Sequence, residues 1–265
     1  MKLSPEPPPD KRKLAPALEL WLEKLSARHL ADLSFPEVRR GLQALSSLYV
    51  ERRGRLGSGA ALDGRGKRAA FALYYGPLHF LAVGAVVEAL GAATPPPTTL
   101  VDLGCGTGAA GAAWAVAAGG TAKLEGVDKS PWAAAEARWS YQILGLNGRA
   151  HSGDVGLTRL PGAGGAIVAA YTVNELPEEV RKALLPRLLV AHRQGARVLI
   201  VEPIAQRQLG WWPAWQEAFL SAGGRGDEWR FALALPERVL ALGRAAGLRP
   251  AKLAARSLWL PGGPA

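Results

Sequence analysis

The chain has 265 residues, 49% of them apolar, enough to bury the core of one α/β domain of ordinary size with an extension. Its single cysteine, Cys105, excludes an internal disulfide and any metal or iron–sulfur site built from several cysteines of one chain. The formal net charge is +10, and residues 1–68 hold 14 basic against 8 acidic side chains, so the excess is densest in the N-terminal part and favours polyanionic partners.

Residues 1–13, MKLSPEPPPDKRK, are proline- and charge-rich and are expected to form a disordered lead-in; they lack the apolar stretch of a secretory signal. No apolar run of about 20 residues is evident, so no membrane span is expected, and a cytoplasmic location is the default. Residues 14–95 read as a helical N-terminal domain. Leu18, Leu22 and Leu25 have helical spacing within 14–29. Ser34 and Glu37 form a capping-box pattern for a helix running to about Arg53. A glycine-rich break covers Gly54 to Gly66, and a third helix is expected from Lys67 to Leu90, with Gly76-Pro77 marking a kink or a junction. The run from Thr94 to Thr98, rich in proline, separates this part from the rest.

In 96–265 short apolar runs alternate with helical stretches: Leu100–Leu103, Leu124–Val127, Ala166–Tyr171 and Val198–Val201, with a weaker strand ending near His151–Asp154. Such alternation implies βαβ units and a parallel sheet covered on both faces. The tail adds candidate strands at Trp229–Leu235 and Lys252–Leu260, with a helix from Pro236 to Leu248 between them.

Val101-Asp102-Leu103-Gly104-Cys105-Gly106-Thr107-Gly108 follows the first of these strands and opens an alanine-rich helix near Ala109. It fits the Asp/Glu-x-Gly-x-Gly-x-Gly loop of class I S-adenosylmethionine-dependent methyltransferases. The fold class expected is therefore a doubly wound, mainly parallel α/β sheet of the class I methyltransferase (Rossmann-like) type, with an N-terminal helical extension. The glycines let the backbone pass beneath S-adenosylmethionine at the carboxyl ends of the strands. A competing match exists: Gly106 to Gly111 also fits the dinucleotide fingerprint, with Asp128 at a suitable distance. That register leaves Asp102 and Gly104 inside the strand, where a carboxylate is costly; the methyltransferase register sets Asp102 at the strand tip.

The cofactor set expected from this loop and the strand ends is Asp102, Gly104, Cys105, Gly106, Gly108, Asp128, Lys129, Asp154 and Tyr171. Asp102 orders the loop or reaches the ammonium group. Asp128, at the next strand end, can accept both ribose hydroxyls, or else favour a helix N-terminus. Asp154 can accept from the adenine amine, or else simply make a turn. Trp132 can flank the adenine or serve packing. After the fourth strand, Tyr171, Asn174 and Glu175 are the catalytic candidates, able to orient an acceptor or take its proton; the alternative is loop and capping chemistry ahead of Pro177-Glu178-Glu179. Methyl transfer is an in-line displacement in which alignment does most of the work, so no base is obligatory.

Some acceptors are disfavoured. Cys105 lies in the cofactor loop, away from the place of a pyrimidine carbon-5 nucleophile. The Asn-Pro-Pro-aromatic motif of exocyclic amine transfer is absent, since Glu175-Leu176 follows Asn174. No Lys-Asp-Lys-Glu set for ribose methylation is recognisable.

Further segments carry a narrower likeness. Gln43 to Tyr49, Lys67 to Pro77, Asn174-Glu175-Leu176-Pro177 and Val201-Glu202-Pro203 resemble the Leu-Ser-x-x-Tyr, Ala-Tyr-x-x-x-Arg-x-Pro, Glu-Leu and Glu-Pro segments of the methyltransferase-like proteins of the mitochondrial small ribosomal subunit and their bacterial relatives. The likeness covers Leu42 to Pro203. It implies small-subunit ribosomal RNA, or the small subunit itself, as partner, with either methylation or a non-catalytic assembly role. The chain departs from the family in three places. Cys105 alone provides no iron–sulfur ligand set, Gly76 stands where Arg is expected, and Trp211-Trp212-Pro213-Ala214-Trp215 and Asp227 to Phe231 are its own. The tryptophans either pack the layers or stack on a ring-bearing substrate. Arg39, Arg40, Arg52, Arg53, Arg55, Arg65, Lys67 and Arg68 are the candidate RNA-binding face, with pairing to Glu37, Glu51 and Asp63 as its alternative. No metal ligand is expected. A small-molecule methyltransferase with the N-terminal helices as a lid is the remaining reading.

Overall fold

The computed structural model describes residues 15–51, 62–204, 210–232, 234–248 and 253–262. Seven strands form one sheet in the order β3-β2-β1-β4-β5-β7-β6. They are β1 (Thr99–Leu103), β2 (Lys123–Asp128), β3 (Gly148–Ser152), β4 (Gly165–Ala170), β5 (Arg197–Glu202), β6 (Arg225–Phe231) and β7 (Leu253–Leu260). All neighbours are parallel except β7, which pairs antiparallel with both β5 and β6. This is the doubly wound class I methyltransferase sheet. Strands β4 and β5 are buried at every position, as apolar strands covered on both faces must be; β5 is apolar between Arg197 and Glu202, which are buried at its two ends. Strand β6 lies at the edge and pairs its own charges, Arg225 with Asp227 and Arg230 with Glu228. It begins four residues before the expected Trp229 because a charged edge strand carries no apolar run.

The helices are α1 (Ala15–His29), α2 (Phe35–Glu51), α3 (Arg65–Ala70), α4 (Gly76–Ala89), α5 (Ala109–Ala117), α6 (Pro131–Ile143), α7 (Glu178–Arg193), α8 (Trp212–Ser221) and α9 (Glu237–Ala245). At the start of α2 the Ser34 N–H donates to Glu37 Oε2 at 2.8 Å, one arm of the capping box. The Ser34 hydroxyl donates to the same carboxylate, so the second arm is not made. Between α3 and α4, residues Phe71–Tyr75 form a π-helical turn, and Gly76-Pro77 continues the helix. The expected kink or junction is thus replaced by a wide turn one residue ahead of the proline. The continuous helix Arg65–Ala89 is long and apolar enough to cross a membrane by length and composition, contrary to the sequence expectation; 78% of its most apolar window is buried inside the protein, as in a core helix.

One core unites the N-terminal helices with the sheet. Trp21, Leu25, Leu42, Phe80 and Val83 belong to the same buried cluster as Leu100, Trp114, Leu124 and Tyr141. The indole N–H of Trp21 donates to Ser140 Oγ at 3.0 Å and ties α1 to α6. A second cluster on the other face holds Leu184, Leu188, Ile200, Trp212, Trp215 and Phe219. Trp212 and Trp215 are buried there, so these two tryptophans pack the layers.

Candidate functional site

The site lies where β1, β2, β4 and β5 end. The loop after β1 is pinned to β2: the N–H groups of Gly104 and Cys105 both donate to the Val127 carbonyl, at 2.8 and 3.0 Å. Gly108 has φ 83° and caps α5. A Cβ there would lie 2.6 Å from Tyr141 Cε1 and 3.1 Å from the Ala137 backbone, so only glycine fits. Gly106, at φ 52°, has the Phe71 ring 3.4 Å from where its Cβ would stand. The π-helical turn therefore roofs the glycine loop.

Asp102 is fully buried inside β1, one residue before its end, not at the strand tip. Its Oδ2 accepts the Gly111 N–H at 2.8 Å, so it orders the start of α5 from within. That bond offsets the cost of burial which the strand position carries. Burial, with the nearby Asp128 charge, pushes its carboxyl up to about 7. Asp128 ends β2. Its Oδ2 accepts from Gly106 N–H at 2.9 Å and its Oδ1 from Ser130 N–H at 2.8 Å. Each carboxylate oxygen retains capacity for a second donor. Lys129 is exposed beside it, and its charge acts on both Asp128 and Glu175. Asp154 is exposed in the loop after β3 and accepts the Gly156 N–H at 2.7 Å, the geometry of a turn aspartate. Cys105 is buried in the loop, and burial raises its thiol far above the ordinary range.

On the other side stand the aromatic residues. Tyr171, the first residue after β4, has φ 58°, a left-handed backbone that a bulky side chain rarely adopts. Its ring stacks on His79 of α4, with centroids 3.9 Å apart and planes at 14°. Phe71 meets His79 edge-on at 6.2 Å and Tyr75 lies 6.1 Å from it. Burial pushes the imidazole of His79 down to about 3, so it is neutral at pH 7. Asn174 and Glu175 form a single 3-10 turn with Val173. The Asn174 N–H donates to Glu202 Oε1 at 3.1 Å. Burial raises Glu175 to about 7, against the pull of Lys129, and raises Glu202, at the end of β5, to about 8.

His79 and Glu202 were not among the candidates from sequence. The spacing Phe71, Tyr75, His79 puts one ring per helical turn and is the signal for the first. The Glu-Pro segment after the fifth strand is the signal for the second. Trp132 packs instead against His29, at 6.5 Å, and beneath the Arg68 guanidinium, at 5.7 Å.

The proposed basic face is partly spent. Arg39 and Arg40 are exposed on α2, while Arg52, Arg53 and Arg55 lie outside the described residues. Arg65 makes its ion pair with Asp32 at 3.0 Å, while its charge and that of Arg40 also act on Glu37, one of the acids expected from sequence. Arg68 is half-buried and donates to the Leu62 carbonyl at 2.8 Å; Lys67 is also half-buried. Among the described residues no group of His, Cys, Asp and Glu is arranged to hold a metal ion.

Residues 100–195 match the family model described as a methyltransferase domain. No curated protein sequence matches the chain. Among solved structures, a candidate O-methyltransferase from Nostoc punctiforme shares 13% identity at a TM-score of 0.52, over 94% of this chain and 74% of that one; it shows the shared fold. The magnesium protoporphyrin IX methyltransferase of Synechocystis, solved with bound S-adenosylmethionine, shares 17% identity at a TM-score of 0.46, over 86% and 97%. A TehB-like methyltransferase from Corynebacterium glutamicum shares 16% identity at a TM-score of 0.45, over 69% and 88%. With the domain match over residues 100–195 and the loop geometry together, the chain carries a methyltransferase domain that uses S-adenosylmethionine, its acceptor unspecified.

The loop fits that cofactor. Asp102 Oδ1 and Thr107 Oγ1 are buried beside it without a hydrogen-bond partner among the described residues. Such groups are costly unless a ligand or water satisfies them.

Proposed function

We propose that the protein methylates a small planar acceptor enclosed beneath its N-terminal helices. One observation carries this reading: the Phe71 ring of the π-helical turn lies against Gly106, and His79, in edge contact with Phe71, stacks on Tyr171 at the end of β4. A roofed, ring-lined mouth suits a small flat substrate better than an extended chain. Asp102, Asp128 and the backbone of Gly104 to Gly108 hold S-adenosylmethionine, which supplies an activated methyl group when bound. Phe71, Tyr75 and Tyr171 orient the acceptor ring and exclude water. Glu175 takes the acceptor proton: with its carboxyl near 7 it is a base poised close to the working pH.

The test is transfer of labelled methyl to a panel of small aromatic hydroxyl and amine acceptors, followed against pH. Turnover should rise through the Glu175 titration, and Glu175→Gln should remove both the rise and most of the rate. Equal turnover and an unchanged pH profile in the variant would rule out the assignment.

A second reading, methylation of small-subunit ribosomal RNA, rests on the net charge of +10, the exposed Arg39 and Arg40, and the segmental resemblance noted above. It requires RNA affinity that falls steeply with salt and a shallower slope in the Arg39→Glu, Arg40→Glu double variant. Failure to bind RNA even at low salt excludes it.

A further inference from the structure

A second concavity lies outside the glycine loop. The end of α1, the segment after it, α3 and the first turn of α6 line a half-open cleft of about 140 Å³, with Arg28, His29, Asp32, Arg65, Arg68 and Trp132 in its wall. The lining includes none of the loop residues 104–108 and none of the 171–175 turn.

Its charge balance is positive. Three guanidinium groups stand against the single carboxylate of Asp32 in the lining. Two further acids are within reach: Glu37, whose carboxyl the Arg65 charge helps to lower, and Glu136, buried behind the wall. Glu136 accepts from Arg28 Nε at 3.1 Å and shares a 2.7 Å hydrogen bond with His29 Nε2. The Arg65–Asp32 pair is 66% and 76% exposed, so it is weak and readily exchanged for a better anion. Arg68 is fixed by the bond from its Nε to the Leu62 carbonyl and by its place over the Trp132 ring. A guanidinium has five N–H donors, and the polar contacts named here take one from each arginine. The planar fork that remains matches the paired oxygens of a phosphate or carboxylate. Trp132 adds a flat apolar wall beside the charges. The volume is well below that of a pocket for a drug-sized molecule, which suits one oxyanion with a small substituent.

We propose that this cavity binds the oxyanion group of a small phosphate- or carboxylate-bearing ligand, at a site separate from the cofactor cradle. Arg68 stands one helical turn before Phe71, so the bound anion lies next to the roof of the glycine loop. The proposal is independent of which acceptor is methylated.

Calorimetric titration at low ionic strength tests it, with inorganic phosphate in one arm and acetate in the other. Wild type, Arg65→Gln and Arg68→Gln are compared, each also titrated with S-adenosylhomocysteine. Saturable binding of at least one anion is expected, and the stronger of the two identifies the chemistry. Arg68→Gln should weaken it about tenfold and Arg65→Gln by less, as for loss of a charge-assisted hydrogen bond. Arg65 is exposed, so its variant keeps the fold and the test stands if Arg68→Gln is unstable. S-adenosylhomocysteine affinity should not change. The proposal falls if neither anion saturates, if Arg65→Gln and every folded Arg68 variant bind as wild type does, or if S-adenosylhomocysteine affinity drops in parallel, which would assign the cavity to the cofactor.

Discussion

The cradle and the mouth of this site are built from different materials. The cradle is backbone: Gly104, Cys105, Gly106 and Gly111 each donate an N–H to Val127 or to the carboxylates of Asp128 and Asp102, and Gly108 leaves no room for a side chain. The mouth is side chain: Phe71, Tyr75, His79 and Tyr171 make ring contacts, and their elements lie on opposite sides of the loop in sequence. A backbone cradle fails when its shape changes, whereas a side-chain mouth can be altered residue by residue while the fold persists. That contrast can be broken or sharpened by substitution.

The largest effect should come from Gly108→Val. The new side chain meets Tyr141 and the Ala137 backbone and needs a positive φ. Overpacking of this kind costs about 1–3 kcal/mol, and a left-handed backbone about 1–2 more. Denaturant melts should show that loss, and calorimetry should show no binding of S-adenosylhomocysteine. Normal binding by the folded variant would mean that the loop is not the cradle.

Asp128→Ala comes next. It removes the acceptor for the Gly106 and Ser130 N–H groups and the expected partner of the ribose hydroxyls. Cofactor affinity should fall by about 1–3 kcal/mol, as for hydrogen bonds to a charged group. Unchanged affinity in the same titration would refute the ribose assignment.

The buried acids give a smaller, pH-dependent effect. Folded Glu202 keeps its proton up to about 8, whereas the unfolded chain releases it near the ordinary 4.5. Between those values the unfolded state binds fewer protons, so stability falls as pH rises and levels off above the folded value. Glu175, raised to about 7, acts in the same direction. Glu202→Gln keeps an acceptor for the Asn174 N–H and removes the ionisation. Its melting temperature should match wild type near pH 5 and exceed it near pH 9, within a window of about 4 pH units. Parallel pH curves would show that Glu202 does not ionise in this range.

The least disruptive change is Phe71→Leu. Its effect on stability and on S-adenosylhomocysteine affinity should stay within about 1.5 kcal/mol, the range of volume-conserving swaps. The KM for a ring acceptor should nevertheless rise. Loss of cofactor binding instead would make Phe71 part of the cradle and weaken the contrast.

The same difference explains what the sequence could tell. The loop is local, so its spacing alone located Gly104 to Gly108 and the start of α5 at Ala109. Alternating apolar runs marked β1, β2, β4 and β5 because these strands are covered on both faces. The acidic partner at the end of β2 followed from the strand end. His79 had only its ring-per-turn spacing with Phe71 and Tyr75 as a signal, because its stacking partner, Tyr171, lies 92 residues away. Glu202 was illegible as a raised acid because burial under the β4–β5 ends, not the residue type, shifts it. The depth of Asp102 was misjudged for a related reason: a carboxylate inside a strand is disfavoured until the Gly111 N–H is known to meet it.

The wide turn at Phe71–Tyr75 also bears on how substrate preference could diverge in such an enzyme. A π-helical turn is, in effect, one residue inserted into an α-helix. Deleting a single residue there, such as Ala72, would restore regular winding and shift Phe71 by a fraction of a turn, about 30°, relative to Tyr75 and His79. The sheet, the glycine loop and the α4 packing would keep their places. A one-codon deletion at this point therefore re-aims the Phe71 ring over Gly106 while leaving the hydrogen bonds of the glycine loop in place.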